Sequence, residues 1–227
     1  NRIRLMSINL NRYIDHTLLK PEATPQQIQI LCEEALVHNF FGVCVNSTHI
    51  PMAKKILAGS TVSPVAVIGF PLGAMSSDAK SFETEWVVKN GAVEVDMVIS
   101  IGHLKFKDYK YVRNDIQSVV KACGPSKLKV IIETALLTEE EKKIACQLAV
   151  EAGAHFVKTC TGFSGGAASV ADVQLMKSVV GPNVEVKASG GIKDEASAWK
   201  LIHAGATRLG TSSGVQIVKG QETMGGY

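Results

Sequence analysis

Apolar, β-branched runs alternate with amphipathic stretches along the chain. The runs fall at 13–18, 41–46, 65–70, 93–100, 128–134, 155–160, 184–188 and 207–210. They are short and continuous rather than strictly alternating. That pattern predicts strands buried on both faces, as in a parallel sheet. Between them, apolar residues recur at helical spacing over 24–39, 50–58, 77–90, 108–122, 138–152, 169–180, 194–204 and a last short stretch from 214. Local signals sharpen the helix ends. Thr24-Pro25 supplies an N-cap with proline at the first helical position. Thr138, three residues before Glu141, predicts a capping box. Gly153 and Gly205 stand where two helices must stop before the next strand.

Eight strand–helix units, spaced by about 23 to 35 residues, predict a (β/α)8 barrel. A doubly wound open sheet would carry GxGxxG after its first strand, and none is present. No Pro/Gly/Ser linker divides the chain, so one α/β domain is expected over 11–220. Residues 1–10 then form an N-terminal extension and 221–227 a C-terminal tail that includes Tyr227.

Composition narrows the functional class. Of the 227 residues, 46% are hydrophobic, enough for a large core and too many for disorder. The net charge of +3 comes without a basic block, which argues against a nucleic-acid partner. No apolar run is long enough to span a bilayer, so no membrane partner is expected. The first ten residues lack the apolar core of a signal peptide. Met6 is a candidate natural start, which would make residues 1–5 foreign to the native chain. Five dispersed cysteines without a CxxC pair read as free thiols in a reducing, cytoplasmic setting. The six histidines form no HxH or HExxH pattern, so no metal and no cofactor is expected.

Chemistry enters with two lysines. Lys158 lies in the strand-like run before Thr161-Gly162, and Lys187 lies 29 residues later in the next run, before Gly190-Gly191. Each alone reads as a strand-mouth lysine with its head in water. Two on successive strands put two ammonium groups close together, and a neighbouring cation favours the neutral, nucleophilic amine. A free lysine amine titrates near 10.4, whereas a useful amine nucleophile wants about 7–8, a bias of about 3–4 kcal/mol.

In such a barrel, functional groups collect at the C-terminal ends of the strands. Polar residues there are Asp15, His16, Thr17, Cys44, Asn46, Asp96, Glu133, Thr134, Lys158, Thr161, Lys187 and Ser189. Alternation adds a check. An inward Asp96 brings Glu94 inward, an inward Lys187 brings Glu185, and Glu133 shares a face with Lys129. Glu94 and Glu185 are then expected as ion-pair partners inside the barrel. Gly190-Gly191 and 210–214, Gly-Thr-Ser-Ser-Gly, are candidate phosphate loops of backbone N–H groups and hydroxyls.

Six stretches carry a family resemblance: Tyr-Ile-Asp-His-Thr-Leu-Leu-Lys-Pro (13–21), Val-Ile-Gly-Phe-Pro-Leu-Gly (67–73), Glu-Val-Asp-Met-Val (94–98), Phe-Val-Lys-Thr-Cys-Thr-Gly-Phe (156–163), Val-Lys-Ala-Ser-Gly-Gly-Ile (186–192) and Gly-Thr-Ser-Ser-Gly (210–214). In order and over nearly the whole chain, they resemble the deoxyribose-phosphate aldolase family. The resemblance implies a metal-free class I aldolase on a (β/α)8 barrel. Its reaction is the reversible cleavage of 2-deoxy-D-ribose 5-phosphate to D-glyceraldehyde 3-phosphate and acetaldehyde, in deoxyribonucleotide catabolism. By motif, Lys158 resembles the Schiff-base lysine. Lys187 resembles the second lysine, which makes the first less basic and takes part in proton transfer. Asp96 resembles the proton donor and acceptor. Asp15, Cys44, Thr161 and Gly162 are expected at the sugar, and Gly190, Gly191, Ser212 and Ser213 at the phosphate. A homodimer is among the assemblies the resemblance implies.

Cys160 stands where many relatives have serine, and Phe163 where some have lysine, which removes a possible phosphate contact. The rival readings are a transaldolase-like or isomerase activity on the same barrel, a metal-dependent aldolase, and a non-enzymatic sugar-phosphate sensor.

Overall fold

A computed structural model describes residues 9–221. The parts of the N-terminal extension and C-terminal tail at 1–8 and 222–227 lie outside the described residues, Tyr227 among them. Eight parallel strands close into a barrel in chain order, β8 pairing back onto β1. They are β1 (Ile14–Leu18), β2 (Gly42–Asn46), β3 (Ser63–Ile68), β4 (Glu94–Val98), β5 (Lys127–Ile131), β6 (Phe156–Lys158), β7 (Glu185–Ser189) and β8 (Arg208–Thr211). The helices are α1 (Pro25–Val37), α2 (Ile50–Ile56), α3 (Ser77–Lys89), α4 (Ile101–Lys105), α5 (Tyr109–Cys123), α6 (Glu139–Glu151), α7 (Val170–Val180), α8 (Glu195–His203) and α9 (Gly214–Val218).

All eight predicted strands are present within a few residues. The short α4 was not expected, because five residues carry too little periodicity to stand out. Thr138 accepts from the Glu141 backbone while the Glu141 carboxylate takes the Thr138 N–H, so the predicted capping box forms. Thr24 and Gln27 make a second one around Pro25.

Two cores divide the apolar residues. The larger lies between barrel and helices, where outward strand residues such as Ile14, Val43, Val95, Val130, Val157 and Leu209 meet the inner faces of the helices. The smaller sits inside the barrel and holds only Leu19, Cys44, Val65 and Val67, with Phe70 against them. Branched aliphatic residues normally fill such an interior in layers. Here they fill only the β2–β3 side. Elsewhere the interior holds Asp15, Glu94, Asp96, Lys129, Lys158, Lys187 and Arg208, and those charges build the site.

Candidate active site

Seven charged side chains fill the barrel interior. Six close a ring of alternating sign. Asp96 accepts from Lys187 at 2.8 Å, and Lys187 reaches Asp15 at 2.6 Å. The other oxygen of Asp15 meets Arg208 at 3.1 Å, and Arg208 meets Glu94 at 2.7 Å. Lys129 bonds Glu94 at 2.6 Å and the second oxygen of Asp96 at 2.8 Å, which returns to the start. Lys158 is the seventh member. It donates to the Asp96 Oδ2 that Lys187 also uses, at 2.9 Å. The ring alone carries three cations and three anions. Lys158 therefore hangs on a neutral ring as its excess cation.

Strand register and small residues make this possible. Lys158 stands beside Lys187, and Lys187 beside Arg208, on neighbouring strands. Glycines clear the space between them. A Cβ on Gly42 would come 2.8 Å from the Asp15 carboxylate, and one on Gly210 would come 3.0 Å from Lys187 Cε. At the N-terminal end, the Arg208 guanidinium lies 3.3 Å from the centroid of the Phe41 ring, with Phe156 beside it. Its Nε finds no hydrogen-bond partner among the described residues.

The charges set one another's protonation. Burial pushes the Asp96 carboxyl up, but Lys129, Lys158 and Lys187 outweigh it and hold it well below the usual carboxylate range. Burial also opposes the charge on Asp15, yet Arg208, Lys187 and Lys129 bring it down to about 2. For Lys187, burial disfavours the ammonium, and Asp15 with Asp96 more than restores it, so it stays charged above the ordinary lysine range. Burial raises the Cys44 thiol, which leaves it neutral beside the ring.

Above the ring opens a cleft of about 470 Å³, its solvent mouth included. Its lining includes Lys158, Thr161, Gly162, Gly190, Gly191, Ser212 and Ser213, so most of the expected site residues converge there. Lys158 is the only one of the seven charged residues that lines it. Asp96, Asp15 and Cys44 lie beneath it, all fully buried, with both Asp15 oxygens engaged in the ring. Gly190 and Gly191 take positive φ values of 94° and 71°, and their turn packs on the loop after β6. A Cβ on Gly190 would come 2.9 Å from the Gly166 carbonyl oxygen. Glu133 pins that loop from the other side. Its carboxylate accepts from the Thr161 hydroxyl and, at 3.2 Å, from the Thr161 N–H. Phe163 stacks edge-on against Phe70 with 5.3 Å between centroids.

Two expectations from alternation fail. Glu94 is an interior ion-pair partner, but Glu185 is not. It opens β7 at the N-terminal rim and accepts from the Thr207 hydroxyl at 2.6 Å, with no ion pair among the described residues. Glu133 does not share the face of Lys129. β5 ends at Ile131, and Glu133 adopts a left-handed φ of 57° that turns it toward Thr161.

Three functional candidates escaped the sequence reading. Lys129 was noted only for its face, and Arg208 was not singled out. Lys193 lines the cleft beside the Gly190-Gly191 turn, and its place just past that motif was the available signal. Among the described residues, no group of three or more His, Cys, Asp or Glu is placed to hold a metal ion. No helix among them is long and apolar enough to cross a membrane.

Comparison with known proteins gives the same direction. A family model described as DeoC/LacD family aldolase matches residues 10–220. The deoxyribose-phosphate aldolase of Bdellovibrio bacteriovorus is 58% identical over 220 residues, covering 97% of this chain and 100% of its own length. The deoxyribose phosphate aldolase from Aeropyrum pernix, described as having a unique tetrameric structure, superposes with a TM-score of 0.87 at 30% identity. That match covers 92% of this chain and 89% of the other.

Proposed function

This chain belongs to the DeoC/LacD family of aldolases, and we propose that it cleaves 2-deoxy-D-ribose 5-phosphate reversibly to D-glyceraldehyde 3-phosphate and acetaldehyde through a Schiff base on Lys158. The enzyme is a lyase. One observation carries the assignment of the nucleophile. Lys158 is the excess cation of the buried cluster and its only member in the cleft. Losing a proton from Lys158 leaves the interior neutral, and a buried net charge is costly.

The neutral amine attacks C1 of the open-chain sugar, and loss of water gives an iminium. Removal of the C3 hydroxyl proton then lets the C2–C3 bond break. The bonding electrons flow to the iminium, leaving an enamine on Lys158 and releasing D-glyceraldehyde 3-phosphate. A proton returns to C2, and water hydrolyses the resulting iminium to acetaldehyde and free Lys158. Asp96 bonds the nitrogen and Lys187 bonds the same Asp96 oxygen, which makes these two the proton carriers within reach, directly or through water. At rest Asp96 is a carboxylate, so it acts first as acceptor and donates only after it has taken a proton. Asp15 acts one layer back by holding Lys187.

The phosphate is assigned to Gly190, Gly191, Ser212 and Ser213, with Lys193 as the cation beside them. These loops offer backbone N–H groups, hydroxyls and one positive charge. Binding energy from that remote group holds the sugar in reacting geometry, so losing it lowers turnover as well as affinity. Ser212 is exposed, so Ser212→Asp introduces a carboxylate without burying it. The expected result is a fall of at least about 10-fold in kcat/KM for the phosphorylated sugar and little change for deoxyribose. An equal fall for both would remove the strand-8 loop from the phosphate site.

We further propose a cytoplasmic homodimer. The Aeropyrum pernix relative is described as tetrameric. Light scattering on the purified protein distinguishes a dimer from a tetramer, and a tetrameric mass would contradict the dimer.

A further inference from the structure

The ring reaches far from the cleft. Glu94 and Arg208 are the first residues of β4 and β8, whereas Lys158 is the last residue of β6. Neither lines the cleft, and both are at most 4% exposed. Arg208 is held against Phe41 and Phe156, and between Asp15 and Glu94. Nothing about substrate contact accounts for two charged groups in this position. A Val or Leu pair would fill the space without the desolvation cost of ions.

We propose that Glu94 and Arg208 set the protonation of Lys158 through the net charge of the buried cluster, acting as remote positioning residues for the cleavage reaction. The inference rests on Lys158 being the Schiff-base amine. Each group touches the ring at two points, and the ring touches Lys158 only through Asp96 Oδ2. Charge rather than contact is therefore what they pass on. With the native residues, ring plus ammonium carries one excess positive charge, and proton loss from Lys158 removes it. Deleting the Glu94 charge raises the excess to two and favours proton loss further. Deleting the Arg208 charge makes ring plus ammonium neutral, and proton loss then creates a net negative interior. The two substitutions thus act in opposite directions, although both break the same ion pair.

Other charged or titratable groups do not obscure this sign. β1 presents Asp15, β2 only the neutral Cys44 thiol, and β3 the apolar Val65 and Val67. β4 presents Asp96 besides Glu94, β5 Lys129, and β7 Lys187, while near Glu94 at the rim stand Lys127 and His155, the latter with an imidazole that burial holds below its ordinary range. Glu133 is committed to Thr161 and Ser164 in the loop after β6. Lys193 lines the cleft from the loop after β7.

The test is the pH dependence of adduct formation, with acetaldehyde and borohydride as the probe and the adduct mapped to Lys158 by mass spectrometry. Glu94→Gln, Arg208→Met, Arg208→Lys and the double variant Glu94→Gln/Arg208→Met are compared with wild type. At an effective dielectric of about 20, a unit charge removed across the cluster predicts a displacement on the order of one pH unit. Glu94→Gln should move the acid limb of the profile down by about that amount, and Arg208→Met should move it up. Arg208→Lys keeps the charge and should stay near wild type, and the double variant should return toward it. A purely structural role would lower yield in both single variants and leave the midpoint in place, which would overturn the inference. So would movement of both in one direction. If Arg208→Met does not fold, the isosteric Glu94→Gln alone decides, by moving the limb down or leaving it. Wild-type protein with no adduct at Lys158 would overturn the Schiff-base reading itself. An adduct with unmoved limbs overturns only the role of Glu94 and Arg208.

Discussion

Lys158→Ala is expected to abolish turnover, by a factor of about 10⁴ or more, while the protein stays folded. Covalent catalysis through an amine has no substitute when the amine is gone. The cluster explains why folding survives. Lys158 makes one ion pair, and the ring closes without it. Removing it takes the excess cation out of a buried cluster, which relieves net charge rather than stranding it. Lys158→Arg should be just as inactive, because a guanidinium stays protonated and forms no Schiff base at neutral pH. Circular dichroism melts and kcat on the phosphorylated sugar measure the two parts. Substantial turnover in Lys158→Ala would contradict the assignment. Loss of folding would contradict the pendant placement.

Lys187→Met should lower activity at pH 7 by about 10²-fold or more and move the optimum upward. Three consequences add. Asp96 and Asp15 lose the ammonium that bridges them at 2.8 and 2.6 Å. The proposed proton carrier next to Asp96 disappears. Lastly, ring plus Lys158 ammonium becomes neutral, so the nucleophile keeps its proton to higher pH. The sign follows from the charge balance. Removing a positive neighbour favours the cationic form of Lys158, and the acid limb of the rate profile must rise. Lys187 itself is held charged above the ordinary lysine range by its two carboxylates, so in wild type it supplies its charge across the working pH range. A pH–rate profile from pH 5 to 10 checks this. Full activity with an unmoved optimum would show that the two lysines are not coupled.

The same charge balance changes what a lysine pair means. Sequence reasoning placed Lys158 and Lys187 side by side, took Lys187 as the neighbouring cation that makes Lys158 less basic, and expected acids to pair with such lysines inside the barrel. The pairing is right, since the two are in direct register on β6 and β7. The acids that hold Lys187 are Asp15 and Asp96. What leaves Lys158 in excess is the whole cluster, and most of that cluster depends on barrel closure.

Local patterns were legible because local physics makes them. Continuous β-branched runs, the Thr138 capping box and the Gly190-Gly191 turn each depend on neighbours in sequence. Arg208 meets Asp15 across 193 positions and Glu94 across 114, contacts that exist only once β8 has closed on β1. The roles of Gly42 and Gly210 were hidden for the same reason. Their missing side chains matter only against Asp15 and Lys187. Glu185 shows the limit of alternation. A residue can face the right way and still sit too near the rim to join the interior, whereas Glu94, also first in its strand, is drawn in by Lys129 and Arg208.

A covalent adduct on Lys158 is the direct test of the proposed Schiff base. Wild-type protein is incubated with acetaldehyde and sodium borohydride at pH 7, digested, and the modified residue located by tandem mass spectrometry. One reduced two-carbon adduct per chain is expected on Lys158, absent from Lys158→Ala and suppressed by saturating sugar phosphate. Adduct on Lys187 with Lys158 untouched would reverse the assignment.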